Sequence, residues 1–177
     1  MVNIKELQNQ PVSEIGKILG VNVSGYAPAN LKQLSNSLNV SIITYNFDAL
    51  PRSGEKLLGA FVTNKEGRSC FFYSVDLANA PDSSLYRIVI AKAFAKYILT
   101  GNNSFYLTES TIFSEREKQL FYELLMPEDE VQHVLSELIM PTTLALANIF
   151  AVNQEFVRER LDEMRPRIKR MIAGYDF

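Results

Sequence analysis

The chain has one histidine and one cysteine among its 177 residues. A single thiol, Cys70, excludes an internal disulfide and any zinc site assembled from several thiolates. A single imidazole, His133, excludes a site that needs two. Long apolar runs are also missing. The longest candidate, Ile88 to Leu99, is broken by Lys92 and Lys96 and is shorter than the ~20 residues that span a bilayer. Val2 to Gln10 is polar and charged, which predicts no signal peptide there. Nor is there a strong excess of one charge. The net charge is −2 at pH 7, so the chain as a whole is not built to attract nucleic acid or an anionic membrane. Together these gaps predict a soluble protein of a reducing, cytoplasmic compartment, with no membrane partner.

What is present is ordinary for a globular protein: 47% hydrophobic and 21% charged residues. A chain of this length can bury a substantial core and suits one domain, spanning 1–177. Its expected parts are N-terminal helices over 1–38, a small sheet over 40–73, a helical core over 82–165 and a basic tail over 166–177.

Ile4 and Leu7, then Ile15, Ile18 and Leu19, recur at helical spacing on either side of Pro11. Gly20 and Gly25 mark the exit of that region. Leu31, Leu34 and Leu38 form the apolar stripe of a helix from about Pro28 to Leu38. The period then changes. Val40–Tyr45, Leu58–Thr63 and Ser69–Tyr73 are rich in β-branched and aromatic residues and read as strands. Asn64 to Gly67 suits a hairpin turn, with Gly67 at positive φ, so the sheet is expected to be three-stranded and antiparallel-rich. Asp82 or Ser83 can cap a helix reaching about Leu99. A turn-rich link from Asn103 to Phe113 follows. Ser114 and Glu117 form a capping box for a helix to Met126, which Pro127 stops. Further helices are expected over Glu128–Ile139, from Pro141 to Phe150, and from Asn153 to about Met164, the last ended by Pro166. The fold class is therefore α+β.

Several of these segments, in this order, resemble the ImmA/IrrE family of bacterial and phage metallopeptidase-like proteins. The hairpin from Leu58-Gly59-Ala60 to Phe72 is similar to the one preceding the family's active helix. Arg87-Ile88-Val89-Ile90-Ala91-Lys92-Ala93-Phe94-Ala95-Lys96-Tyr97-Ile98-Leu99 resembles its R-F-T-I-A-H-E-L-G-H-Y-L-L helix. Glu117 through Leu124-Leu125-Met126-Pro127 resembles A-N-x-F-A-x-x-L-L-M-P, with Lys118 where the family has asparagine. Leu146-Ala147, Phe150-Ala151-Val152-Asn153, Val157 and Arg160-Leu161 resemble L-A-x-x-F-x-V-S…V…R-L. The likeness covers about residues 30–165 and implies a zincin-like helical core.

On this alignment Lys92 and Lys96 stand at the two histidine positions and Ala93 at the glutamate. The third ligand position falls near Ser114 or Glu115. An H-E-x-x-H helix works because residues four apart share a face and offer two nitrogen lone pairs to zinc, while the glutamate takes a proton from bound water. An ammonium has three donors and no acceptor, and alanine is no base. The resemblance therefore implies a degenerate site with no metal and no cofactor, and a protein that works by binding rather than by cleavage. Its expected partner is a helix-turn-helix repressor-like or antitoxin-like protein in phage or mobile-element regulation. An active peptidase with an atypical metal site is the alternative enzyme reading.

Two readings of the lysines stay open here. They are solvated on an exposed face, or they occupy the former metal cavity and pair with Glu115 or another acid of the next helix. Tyr73 and Tyr97 are expected to line that cleft. His133 reads as a partly exposed helix residue, Cys70 as a buried small apolar residue on a strand rather than a nucleophile, and Glu128, Asp129 and Glu130 as partners of a helix dipole. Arg158, Arg165, Arg167, Lys169 and Arg170 read either as a solvated helix end or as contacts for phosphate or an acidic partner. The latter would make the chain a nucleic-acid-binding regulator.

Overall fold

The computed structural model describes residues 2–21, 30–47, 54–80, 84–101 and 104–168. The expected features at Gly25, Pro28, the Asp82–Ser83 cap, Asn103, Lys169 and Arg170 lie outside them. The class is α+β, as expected. Two short helices, α1 (Ile4–Leu7) and α2 (Val12–Ile18), open the chain. The next, α3 (Leu31–Leu38), starts where the Asn30 side chain accepts from the backbone N–H of Lys32 and Gln33. Its stripe, Leu31, Leu34 and Leu38, is buried. Asn39 ends it at φ 53°, in the left-handed region that asparagine tolerates.

The sheet differs from expectation. Among the described residues it has four strands, β1 (Val40–Tyr45), β2 (Leu57–Thr63), β3 (Ser69–Ser74) and β4 (Ser104–Thr108), in the order β1-β3-β2-β4. The hairpin of β2 and β3 is antiparallel as expected. Its turn is closed by the Asn64 side chain, which accepts from the N–H of Glu66 and Arg68, with Gly67 at φ 78°. β1, however, runs parallel to β3, so the sheet is mixed. β4 lies in the stretch read as a turn-rich link. Five residues, Ser-Phe-Tyr-Leu-Thr, alternate polar and apolar, and pairing with β2 in a four-stranded sheet stabilises a run too short to declare itself.

The short α4 (Val75–Ala78) leads to α5 (Ser84–Thr100), the central helix. α5 is apolar nearly all round because it is covered from two sides. Toward the sheet, Tyr97 stacks on Phe61 at 4.3 Å between ring centres, and Tyr86 on Tyr73 at 6.1 Å. On another side lies α6 (Glu115–Leu125). Then come α7 (Glu128–Glu137), α8 (Thr143–Phe150) and α9 (Gln154–Ile168). The core is one continuous cluster running from Leu7 and Ile15 through Phe61, Phe71, Phe94 and Ile98 to Leu124, Leu161 and Ile168.

A second correction concerns Pro166, which lies inside α9 rather than ending it. Proline lacks only its own N–H donor. The turn around it is held by the buried Ile168 and by Arg167, which reaches both Glu163 and Glu128. No helix of the described residues is long and apolar enough to cross a membrane.

Candidate functional site

Helical spacing places Lys92 and Lys96 on the same side of α5, and the structure turns that side toward the start of α6. Both ammonium groups lie over the Phe113 ring, Lys92 Nζ at 5.9 Å and Lys96 Nζ at 5.5 Å from its centre. Lys92 also lies 5.4 Å above Phe121. The electron-rich ring faces attract the cations while the lysine stems cover apolar surface.

Lys96 Nζ is 3.5 Å from Glu117 Oε1. Glu117 is buried, and the capping box holds it there. Its Oε2 accepts from the Ser114 N–H at 2.6 Å, and Ser114 Oγ accepts from the Glu117 N–H at 3.3 Å. Oε1 is left pointing at Lys96 with no hydrogen bond of its own. The same motif that starts α6 thus aims a carboxylate at α5. The structure supports the paired rather than the solvated reading of Lys96, with Glu117 as the acid. Glu115 is exposed and bonds Lys118 at 2.7 Å. No carboxylate lies within ion-pair distance of Lys92 among the described residues. Two cations therefore face one anion.

The remaining expected positions separate. Ala93 is fully buried. Ser114 serves as the helix cap. Tyr73 and Tyr97 belong to the packing between sheet and α5. Sequence reasoning treated Glu117 only as half of a capping box and passed over Phe113 and Phe121. The available signal was that a buried N3 carboxylate beside a lysine-bearing helix must find a cation.

A second polar cluster sits between α6, α7 and α9, around Arg160, which is 2% exposed. Its guanidinium donates to the Met126 carbonyl at 3.0 Å, to Glu123 Oε2 at 2.7 Å and to Glu163 Oε2 at 2.5 Å. Glu123 also accepts from the Glu128 N–H. Burial pushes the Glu123 carboxyl up from the usual range, against the opposing pull of Arg160 and the Glu128 N–H. The Tyr122 hydroxyl donates to Glu159 at 3.0 Å, and burial raises it well above an ordinary tyrosine, with Glu159 adding to the shift. Arg160 lies among the buried positions 157, 161 and 164, an apolar stripe that marks it as inward-facing.

The basic residues near it are mostly engaged. Arg165 bonds Asp162 at 2.8 Å, and Arg167 bonds Glu128 and Glu163, both at 2.9 Å. Arg158 is exposed. His133 is exposed on α7, 3.3 Å from Glu137. Among the described residues no group of three or more His, Cys, Asp or Glu side chains is placed to hold a metal ion.

No protein-family model matches the chain, and no curated protein or solved structure matches it.

Proposed function

We propose that this is a catalytically inactive protein of the ImmA/IrrE type, a pseudo-metallopeptidase that acts by binding another protein. The observation that carries the reading is the cluster of Lys92, Lys96, Phe113, Phe121 and Glu117. The two side chains that the resemblance aligns with imidazoles are ammonium groups. They sit together between helices, held over aromatic rings and by one carboxylate. Ammonium offers no lone pair and repels a dication, and a buried alanine at the base position cannot accept a proton. The lysines supply internally the positive charge that a metal would bring.

A further observation favours the resemblance. Its two C-terminal segments meet in space: Arg160 bonds the carbonyl of Met126, in the Leu-Leu-Met-Pro run, and Glu123 just before it. Such a joint couples the two stretches of sequence physically. The proposed partner is a helix-turn-helix repressor-like or antitoxin-like protein of a phage or mobile element, bound without being cleaved. The test is affinity capture from the native host with the full chain and with Lys92→Glu, a charge reversal that strands no internal acid. We expect one specific protein to be captured, intact, and to be lost with the variant while its melting temperature stays near that of the parent. Cleavage of the captured protein, or undiminished capture by Lys92→Glu, contradicts the proposal.

A further inference from the structure

Among the described residues, α5 packs on one face of the four-stranded sheet, through Tyr97 on Phe61 and Tyr86 on Tyr73. Side chains that touch the core from the strands include Ile42, Tyr73 and Phe105, beside the fully buried Phe61 and Phe71. The strand residues between them point the other way. The register aligns Ile43 with Phe72, Phe72 with Ala60, and Ala60 with Tyr106, so one apolar row crosses all four strands. A neighbouring row runs Ser41, Cys70, Val62, Ser104. Tyr45 packs edge-on against Phe72 at 5.8 Å and lies 5.2 Å from Phe47, which makes an aromatic cluster on this outer face.

Phe72 and Cys70 are half-buried within these rows and Ala60 is buried, whereas four side chains of this face are exposed. Tyr106 is 69% exposed, Tyr45 and Val62 each 42%, and Ile43 39%. No outward position in either row carries a charge. Lys65, Glu66 and Arg68 lie at the β2–β3 turn, where Arg68 and Glu66 form an exposed pair. Neither edge strand, Val-Ser-Ile-Ile-Thr-Tyr or Ser-Phe-Tyr-Leu-Thr, contains the lysine, glutamate or proline that usually blunts a sheet edge.

We infer that the outer face of the sheet is the interface of a homodimer, with a second copy of this chain packed sheet against sheet. Three features favour a second copy over another occupant. An isologous contact requires a surface that tolerates itself, and a face without charge meets no repulsion from its own copy. Aligned packing of two sheets interdigitates rows of apolar side chains such as this one. The size fits a weak, concentration-dependent contact. Four strands ~4.8 Å apart and about six residues long make a face roughly 20 Å on a side, so covering it on two copies removes about 800 Å², the low end for protein interfaces. No outward position in either row offers a cation to a nucleic acid or an acidic protein. The lysine cluster between α5 and α6 is a separate surface, so the inference stands apart from the proposed function.

The test is sedimentation velocity of the full chain across a hundredfold concentration range, with Val62→Lys and Tyr106→Lys as variants. Both sites are exposed, so each variant should keep its fold, checked by circular dichroism and melting. The parent should pass from 20.1 kDa toward twice that mass as concentration rises. Each variant should remain at 20.1 kDa throughout. Cys70 gives a second readout, because it lies beside Val62 in the outer row. Its modification by a maleimide should slow several-fold at concentrations where the parent dimerises and should not slow in the variants. A parent that stays monomeric overturns the inference, including when a different protein proves to cover the face. So does a dimer that survives both substitutions with Cys70 still reactive.

Discussion

At the residue scale, the behaviour of Lys96 and Lys92 should differ. Lys96 faces a buried carboxylate oxygen, whereas Lys92 has only aromatic rings beneath it. Replacing Lys96 with methionine strands Glu117 and should lower unfolding free energy by ~1–2 kcal/mol, because a charged hydrogen-bonding group is left unpaired. Lys92→Met should cost less than ~1 kcal/mol, the size of a partly exposed cation–aromatic contact. Urea denaturation of the two variants checks the order; equal losses would show that Glu117 does not depend on Lys96. Tyr122 makes a second residue-scale prediction. Burial and Glu159 hold its phenol protonated above the pH at which an unfolded tyrosine ionises. A folded pKa raised above the unfolded value contributes stability that is complete below about pH 10 and is lost as pH rises through the folded value. Stability should therefore fall on the alkaline side, and Tyr122→Phe should make that fall shallower.

At the scale of elements, the Arg160 cluster joins α6, α7 and α9. Arg160→Met leaves Glu123 buried without its cation and should cost ~3–5 kcal/mol in denaturant unfolding. Adding Glu123→Leu should recover much of that loss, since removing both charges removes the uncompensated one. Within the sheet, Gly59 on β2 permits close packing. A Cβ there would lie 2.5 Å from the Phe71 ring and 3.0 Å from the Phe72 carbonyl. Gly59→Ala should destabilise by ~1–3 kcal/mol through overpacking, measurable as a lowered melting temperature.

These elements also mark how far the sequence could be read. Helices with strong caps and apolar stripes, such as α3 and α6, are legible because local chemistry decides them. The β2–β3 hairpin is legible for the same reason. β4 is not, because its five residues become a strand only by pairing with β2, more than forty positions earlier in the chain. The parallel partnership of β1 with β3 is likewise a long-range choice. Pro166 misleads because α9 runs two residues beyond it, to the buried Ile168. At the site, the pairing of the two lysines on one face follows from spacing alone. That Glu117 rather than Glu115 meets Lys96 follows from the capping box, whereas the docking of α6 on α5 is a long-range choice.

At the scale of the molecule, the helix α5 is shared between two surfaces. One side completes the core against the sheet, and the other presents two ammonium groups to α6. In the proposed reading the fixed cations take the structural place of a metal, and what remains is a surface for recognition. The outer face of the sheet is the one proposed to carry assembly. The central claim is that Lys92 and Lys96 stand where paired metal ligands would stand, and it is tested most directly by zinc stoichiometry. The full chain and its Lys92→His, Lys96→His variant are equilibrated with zinc, desalted and analysed for metal per polypeptide. The account predicts zinc well below one per chain for the parent and near one for the variant, whose two imidazoles would join the Glu117 carboxylate. Stoichiometric zinc in the parent, or none in a folded variant, would contradict it.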